Sequence, residues 1–298
     1  MVTRRGLLTG AAAVGGLVAT GGVGYGLVEA GMLPGKQQLD RRLGRCDVSV
    51  PSPRAEPGPM VTGEFDSAKL GTTVPYAIAY PPGHRDGAAL DVCVLLHGSG
   101  WRHEGWFDSD LRLHRHLADA VAAGTPPFAL AACDGGSLNW HPRASGEDPQ
   151  GAVVEEFLPL LARRGLRTGP DDASAVLGCS MGGYGALLFA QTWPDRFRVA
   201  VASSPALWVR HPVGSGAFDS RDDFARHDVI GHADRLRDVR LRIDCGESDQ
   251  FLDATRTLRG RLADPADVHL APGCHDPAFW QHVAPAQLRF TGTALAGV

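Results

Sequence analysis

The stretch VLGCSMGGYGA, Val176 to Ala186, constrains this chain more than any other part of its sequence. A short apolar run leads into Ser180. Glycines stand on both sides of the serine, at Gly178, Gly182, Gly183 and Gly185. A glycine inside a helix costs about 1 kcal/mol relative to alanine, so this density needs a tertiary reason. A sharp strand-to-helix turn supplies one, because it holds the serine in a strained conformation and leaves no room for neighbouring side chains.

The five residues from Gly178 to Gly182 match the pattern G-x-S-x-G, which is the nucleophile elbow of the α/β-hydrolases. The chain holds 38 glycines in 298 residues, so the pattern alone is only a hypothesis. Its specificity has to come from the residues that flank it and from partner residues elsewhere in the chain.

Apolar runs alternate with segments of helical spacing along most of the chain. This alternation predicts an α/β protein with a mostly parallel, doubly wound sheet and helices on both faces. Together with the elbow pattern, it predicts the α/β-hydrolase fold. The predicted strands are two within 63–83 with a turn near Gly71, then 92–96, 127–133, 173–177, 197–203, 239–245 and 268–270. The predicted helices are 111–123, 151–164, 184–191, 251–262 and 284–295. The segment 209–235 is polar and irregular and is predicted to be a cap or an insertion.

A serine hydroxyl needs a base within hydrogen-bond reach, and the base needs an orienting acid. In this fold the order along the chain is Ser, then Asp or Glu, then His, and each partner follows a late strand. Asp249 is the predicted acid, with Glu247 in the same loop as the alternative; Asp249 could instead simply cap the helix predicted to begin at Phe251. His275 follows the last predicted strand and is the predicted base, chosen by its position among 12 histidines.

An oxyanion hole needs two backbone N–H groups. The residue after the nucleophile, Met181, supplies one of them. The other is predicted to come from Ser99 in the loop after the strand 92–96, with Gly98 and Gly100 left open as alternatives. The loss of one such donor raises the barrier by about 3–4 kcal/mol. Two nearby segments, 101–106 and 139–143, contain tryptophans that either contact substrate or anchor loops.

Four segments, LLHGSG, GCSMGGYGALLFA, DCGESDQF and GCHDPAFW, together resemble the esterase D type of α/β-hydrolase, over about residues 63–295. That group includes S-formylglutathione hydrolases, feruloyl and siderophore esterases and exported mycolyltransferases. The resemblance implies Ser180 as nucleophile, Asp249 as acid and His275 as base, with no metal or organic cofactor. S-formylglutathione hydrolases are usually cytosolic, so an export signal would argue against S-formylglutathione as the substrate.

The N-terminus resembles an export signal. Arg4 and Arg5 precede an uncharged segment, residues 6–28, in the manner of a basic region followed by an apolar one, and TRRGLL resembles a twin-arginine motif. The apolar segment is long enough to span a bilayer of about 30 Å, so cleavage and retention as a membrane anchor both stay open. The predicted organisation is a signal or anchor at 1–30, a proline-rich linker or arm at 31–62, and a catalytic domain at 63–298.

The formal net charge of −4, without any run of Lys or Arg, argues against nucleic acid as a partner. Six cysteines are present; Cys93 and Cys133 lie in apolar runs and are predicted to be buried, and a bridge between Cys245 and Cys274 is one possibility.

Together these features predict an exported serine esterase that forms an acyl-enzyme on a small-molecule or lipid ester. The alternatives are an acyltransferase that moves an acyl chain to an envelope sugar or alcohol, and a non-catalytic envelope binding protein on the same fold. The sequence leaves the oligomeric state open.

Overall fold

The structure, a computed structural model, describes residues 36–108, 111–169 and 172–297. The chain divides into two compact units, Met1–Asp47 and Val48–Val298. In the first unit, helix α1 spans Lys36–Arg42, and the Arg45 guanidinium lies 2.8 Å from the Asp40 carboxylate. The predicted signal or anchor at 1–30 lies outside the described residues. Among the helices that the structure describes, none combines the length and the apolar character needed to cross a membrane.

The second unit is built on one sheet, which has eight strands within the described residues. The strands are β1 Met60–Ser67, β2 Thr72–Ala79, β3 Val92–Leu96, β4 Ala129–Cys133, β5 Ser174–Cys179, β6 Phe197–Ser203, β7 Arg240–Gly246 and β8 Val268–Ala271. Their order is β1-β2-β4-β3-β5-β6-β7-β8. The first two strands run antiparallel to their neighbours, and all later pairs are parallel.

Helices cover both faces of this sheet. They are α2 Leu113–Ala122, a continuous stretch α3 made of Pro149–Gly151, a π-helical segment Ala152–Phe157 and Leu158–Arg163, then α4 Met181–Thr192, α5 Arg221–Arg226, α6 Leu252–Arg259 and α7 Pro277–Leu295. Helices α3, α4 and α6 pack into one apolar cluster, whereas α2 and α7 pack into a second one. Every residue of β3, β4 and β5 is buried, as expected for strands covered on both faces.

The N-terminal segment of the second unit runs along its surface before β1. The backbone N–H groups of Arg54 and Ala55 donate to the Asp119 carboxylate of α2, at 3.0 and 2.6 Å. The carbonyl of Ser49 lies 2.8 Å from Nδ1 of His282 in α7. Strand β1 begins at Met60, inside the predicted arm at 31–62. The predicted domain boundary at 62/63 stays a prediction.

Two expectations about helices need correction. The last helix begins at Pro277 rather than near Ala284, because Asp276 accepts a hydrogen bond from the Phe279 N–H and Pro277 occupies the first turn, where a missing N–H costs nothing. Pro285 lies inside this helix, which continues through it to Leu295. The helix predicted at 184–191 begins at Met181, directly after the serine.

Two further expectations need correction. The segment predicted to be irregular, 209–235, contains the short helix α5 and the start of a 3-10 turn, Ala233–Leu236. A bridge from Cys245 to Cys274 is excluded, since Cys245 is a free, buried thiol. Cys93 and Cys133 are buried and free, in agreement with the prediction.

Candidate active site

Ser180 occupies the turn between β5 and α4 with φ 54° and ψ −116°, a conformation that a residue with a side chain rarely adopts. Its N–H donates to the carbonyl of Ser203 at the end of β6, at 2.9 Å, and its carbonyl accepts from the Ala206 N–H, also at 2.9 Å. A Cβ on Gly178 would overlap the Gly182 carbonyl, and a Cβ on Gly182 would overlap the Leu96 carbonyl of β3. The glycines therefore let the backbones meet, and the hydrogen bonds hold the strained serine in place.

His275, in the loop between β8 and α7, contacts both predicted partners. Its Nε2 lies 2.9 Å from Ser180 Oγ, and its Nδ1 lies 2.9 Å from Asp249 Oδ2. A carboxylate can only accept, so Nδ1–H donates to Asp249 and Nε2 keeps the lone pair that accepts from the serine hydroxyl. The structure thus brings together three side chains that lie far apart in the sequence.

Asp249 has two roles at once in this arrangement. Its Oδ1 accepts a hydrogen bond from the Phe251 N–H at 2.8 Å, while Oδ2 faces His275. Helix α6 begins at Leu252 with Phe251 as its N-cap residue and no side-chain cap, so Asp249 closes the turn before the helix and does not cap it. Its contact with His275 is compatible with the acid interpretation. The alternative acid, Glu247, is exposed to solvent. Asp249 is buried, so it holds the imidazole with little competition from water.

Aromatic side chains hold the imidazole of His275 from two sides. The ring centroids of Phe251 and Trp280 lie 5.3 and 5.4 Å from it, both edge to face, and Trp101 packs edge to face on Trp280 at 5.3 Å. Trp106 is buried in the apolar cluster that also contains Trp280. Trp101 is half-buried, so it is the tryptophan of the segment 101–106 that can reach a bound molecule.

The predicted oxyanion donors lie on the two segments that flank the serine. Met181 is the first residue of α4, and a helix leaves the N–H groups of its first turn without intrahelical partners. Gly98 lies against Ser180, since a Cβ on Gly98 would be 3.6 Å from the serine Cβ. Burial raises the pKa of the neighbouring Cys179 thiol to about 12, although a hydrogen bond from the Gly98 backbone opposes this shift. Ser99 stays the predicted second donor, with Gly98 and Gly100 still open as alternatives.

A buried histidine, which the sequence analysis did not single out, fixes the loop after β3. Nδ1 of His97 lies 2.9 Å from the carbonyl of Gly98, and Nε2 accepts from the Gly135 N–H at 3.0 Å. The Trp140 indole N–H donates to the His97 carbonyl at 3.1 Å. Burial lowers the pKa of His97, which favours the neutral ring that this pattern requires. In the sequence, the position of His97 directly after a buried strand is the feature that could have identified it.

The segment 139–143, left open between substrate contact and anchoring, is largely an anchor. Trp140 and His141 are fully buried, and Asn139 and Trp140 have φ values of 51° and 55°. The Asn139 side-chain amide donates to the carbonyl of Ala217 at 3.2 Å, so this loop is tied to the segment before α5.

A cavity of about 410 Å³ adjoins the loop after β3. Its lining includes His97, Gly100, Trp101, Arg102, Asp134 and Glu147. Burial would raise the pKa of Asp134, but hydrogen bonds from the His103 ring and backbone N–H, at 2.8 and 2.7 Å, lower it overall. The cavity therefore presents a fixed negative charge and an exposed guanidinium beside a partly apolar wall. Ser180 does not line it.

The sequence matches the model of a family described as "Putative esterase" over residues 67–282. A segment of 89 residues is 36% identical to an S-formylglutathione hydrolase of Paracoccus denitrificans and covers 28% of this chain and 32% of that protein. A segment of 156 residues is 26% identical to an esterase of Mycobacterium tuberculosis, covering 50% of this chain and 33% of that protein. A third segment, of 114 residues, is 33% identical to a homoserine O-succinyltransferase of Ralstonia pickettii, covering 35% and 28%.

The matched segments span about a third of the length of these curated relatives, or less. Among solved structures, a ferulic acid esterase superposes with a TM-score of 0.69 at 21% identity, covering 79% of this chain and 98% of that one. An S-formylglutathione hydrolase from Agrobacterium tumefaciens superposes with a TM-score of 0.65 at 17% identity, covering 83% and 100%. These likenesses confirm the predicted α/β-hydrolase fold.

Proposed function

Because the chain belongs to the esterase family, we propose that it is a serine hydrolase that cleaves carboxylic esters with Ser180 as its nucleophile. The observation that carries the proposal is the pair of 2.9 Å contacts that His275 makes, one to Ser180 Oγ and one to Asp249 Oδ2. Nucleophile and base within hydrogen-bond reach, with the base oriented by a third group, is the arrangement that activates a serine.

In the proposed reaction, Ser180 Oγ attacks the ester carbonyl carbon while Nε2 of His275 takes the hydroxyl proton. The carbonyl π electrons move to oxygen, and the resulting anion accepts hydrogen bonds from the N–H groups of Met181 and Ser99. The tetrahedral intermediate collapses, the imidazolium returns its proton to the leaving alcohol, and an acyl-enzyme remains. Water, deprotonated by the same imidazole, then releases the acid. Asp249 keeps Nδ1 protonated and stabilises the imidazolium both when the acyl-enzyme forms and when it is hydrolysed.

The position of the serine at the start of α4 supports this chemistry. The N-terminus of a helix carries the positive end of the helix dipole, which favours a developing negative charge by roughly 0.3–1 kcal/mol or more when partly buried. The N–H group of Met181, the first residue of α4, is held in place by the helix before the substrate binds, so little reorganisation is needed in the transition state.

The test uses Ser180→Ala, a fluorophosphonate probe and p-nitrophenyl butyrate. We expect the probe to label the parent protein on the peptide that contains Ser180, and kcat to fall by about 10⁴-fold or more in the variant. Hydrolysis by Ser180→Ala at the parent rate would refute the nucleophile assignment. A parent protein that neither reacts with the probe nor cleaves any ester of a chain-length panel would favour the non-catalytic alternative instead.

Acyl transfer is the second candidate, and the match to a homoserine O-succinyltransferase is the observation that favours it. The two reactions share the acyl-enzyme and differ only in whether water or an alcohol removes the acyl group. The test is to supply an acyl donor with a sugar or amino-alcohol acceptor and to analyse the products. Release of free acid alone, at every acceptor concentration, would exclude transfer for that pair.

We further propose that residues 1–30 direct export, with 6–28 retained in the membrane or removed. Support comes from Arg4 and Arg5 before the uncharged segment. Replacement of both arginines by lysine is expected to abolish export through a twin-arginine route. Fractionation of cells that express the full chain, followed by N-terminal sequencing, measures both the location and the cleavage.

A further inference from the structure

The segment that follows β6 holds the backbone of Ser180 on both sides. The Ser180 N–H donates to the Ser203 carbonyl, and the Ser180 carbonyl accepts from the Ala206 N–H, each at 2.9 Å. Between these two residues, Ser204 has a φ of 47°, which a residue with a side chain rarely adopts. The strained nucleophile is therefore held by a segment that is itself strained. Such strain persists only where the surrounding structure fixes it.

Strand β7 fixes this segment through Asp244. Ser203 and Asp244 are partners in the parallel ladder between β6 and β7, and the Ser204 N–H donates to the Asp244 carbonyl at 2.7 Å. The Asp244 side chain is buried, and the Arg242 guanidinium donates to both of its carboxylate oxygens, at 2.6 and 2.9 Å. A carboxylate has about four acceptor positions, so Asp244 can accept further hydrogen bonds.

Gln287 of α7 binds to both strands. Its side chain is buried, and its amide nitrogen lies 2.7 Å from Ser203 Oγ and 2.8 Å from Asp244 Oδ2. Because a carboxylate can only accept, the nitrogen and not the oxygen of the amide must face Asp244. The amide has two N–H groups, and each donates to one of these acceptors. The bond to the carboxylate is charge-assisted and therefore among the stronger hydrogen bonds in a protein.

These contacts join the three segments that carry Ser180, Asp249 and His275. Strand β6 ends at Ser203, which accepts from the serine N–H, and Asp249 lies in the turn that follows β7. His275 lies in the loop that leads into α7, the helix of Gln287. A side chain of α7 that is bonded to β6 and β7 thus limits how far the imidazole can move relative to the hydroxyl and the carboxylate.

We propose that Gln287 is a positioning residue of the active site, and this proposal rests on the ester hydrolysis proposed above. Gln287 acts through Ser203 and Asp244 and not on the reacting atoms. It fixes α7 against the ends of β6 and β7, and this keeps Nε2 of His275 within hydrogen-bond reach of Ser180 Oγ. A misplacement of about 1 Å, caused by a change far from the chemistry, can cost about 10²-fold in rate.

Gln191 of α4 offers a matched control. It is also a buried glutamine, and its amide nitrogen donates to the carbonyls of Val229 and His232, both at 2.9 Å. These two carbonyls lie between α5 and the 3-10 turn, in a segment that carries none of the three triad residues. Replacement of either glutamine by methionine removes two donors while it keeps an unbranched side chain of similar length and helix propensity.

The test compares Gln287→Met with Gln191→Met at a temperature at which both variants are fully folded. We expect Gln287→Met to lower kcat for p-nitrophenyl butyrate by about 10- to 100-fold, with KM changed by less than about two-fold. Labelling by the fluorophosphonate probe should slow by a similar factor, because it depends on the same serine. Gln191→Met should lower the thermal midpoint but leave kcat within about two-fold of the parent value.

A double-mutant cycle with Ser203→Ala tests whether the effect passes through the hydrogen bond between Gln287 and Ser203. Ser203→Ala removes this bond but leaves the one to Asp244, so we expect kcat to fall by about 2- to 10-fold. Because both changes disrupt the same contact, the double variant should fall below Gln287→Met by less than about two-fold. If Gln287→Met does not fold, Ser203→Ala alone is compared with Gln191→Met.

Two results would overturn the proposal. The first is a kcat that falls by the same factor, or not at all, in Gln287→Met and Gln191→Met, including a loss confined to KM. The second is a double variant whose loss in kcat is the product of the two single losses, because Gln287 would then not act through Ser203. A parent chain that neither reacts with the probe nor cleaves the ester would instead refute the proposed hydrolysis, and the positioning role with it.

Discussion

Two of the segments that hold non-glycine residues at positive φ do so by different means. In the elbow, Ser180 is held by glycines close to it in sequence and by backbone hydrogen bonds. In the segment 139–143, Asn139 and Trp140 are held by their own side chains, which reach distant carbonyls at Ala217 and in the loop after β3. Both segments depend on distant backbone groups, but the close approach in the elbow requires glycines next to the serine and so leaves a pattern in the sequence, whereas side-chain hydrogen bonds to distant carbonyls leave none.

The largest test of this contrast is Gly182→Ala. An added Cβ overlaps the Leu96 carbonyl and would lie 2.8 Å from that of His97, and both are backbone atoms that cannot move aside alone. We expect the free energy of unfolding to fall by at least about 3 kcal/mol and activity to be lost with it. Denaturant unfolding and the p-nitrophenyl butyrate assay measure the two effects.

Gly260→Ala is the matched control for that variant. Gly260 has a right-handed φ of −69°, and a Cβ there would meet nothing closer than 3.6 Å. It should leave stability within about 0.5 kcal/mol of the parent. If the two alanines had the same effect, the elbow would not depend on close backbone approach.

The second test concerns the long-range support. Trp140→Phe keeps an aromatic ring but removes the indole N–H that donates to the buried carbonyl of His97. We expect a loss of about 1–3 kcal/mol in the free energy of unfolding, since a buried acceptor loses its partner. Because this carbonyl belongs to the loop predicted to supply the Ser99 donor, kcat should fall more than KM rises.

Trp193→Phe provides the comparison, since the buried Nε1 of Trp193 has no hydrogen-bond partner among the residues that the structure describes. Removal of that N–H should cost less than the Trp140 change by about 1 kcal/mol or more. Equal losses in the two variants would mean that ring volume, and not the hydrogen bond to His97, accounts for the effect.

The features that could be predicted from the sequence, and those that could not, differ in the same way as these two segments. Strands β3 and β6 have the predicted bounds, and β3 was recognisable as an unbroken apolar run because it is buried on both faces. The glycine pattern and strand order brought Ser180, Asp249 and His275 into one group, whose catalytic roles stay predictions. His97 and Trp140 were not assigned, since their importance arises from a contact between two loops that neither local sequence encodes. Helix α5 was not predicted either, because it lies in the polar segment 209–235, which was expected to be an irregular cap or insertion.

The third test is pH dependence, and it concerns His97. Burial lowers its pKa in the folded state, whereas the unfolded chain titrates near 6.5. Between the two values the unfolded state binds a proton that the folded state does not, so stability is present above about 6.5 and is lost as the pH falls. From pH 7 to 5.5 this one group accounts for at most about 1.3 kcal/mol.

The measurement is the free energy of unfolding at several pH values for the parent and for His97→Asn. The variant should be less stable at pH 7 but should lose less on acidification, because the titrating group is gone. The exposed His269, whose pKa burial also lowers, serves as the control, and His269→Asn should change the pH slope less. An unchanged slope in His97→Asn would contradict a neutral, buried His97.

The smallest expected effect is the difference in stability between a glycine and an alanine variant at each of two positions with positive φ, Ser180 and Asn139. At Ser180 the combination of φ 54° and ψ −116° is costly for any residue with a Cβ, whereas Asn139 has a φ that asparagine tolerates better than most. Glycine relieves the strain but adds about 0.5–1 kcal/mol of unfolded-state entropy. Ser180→Gly should therefore be about 1 kcal/mol more stable than Ser180→Ala, while Asn139→Gly and Asn139→Ala should differ by less. Both pairs can be measured by denaturant unfolding without any activity. If the larger difference appeared at Asn139, the elbow would be relaxed and the strain would lie in the long-range loop, which reverses the contrast between the two segments.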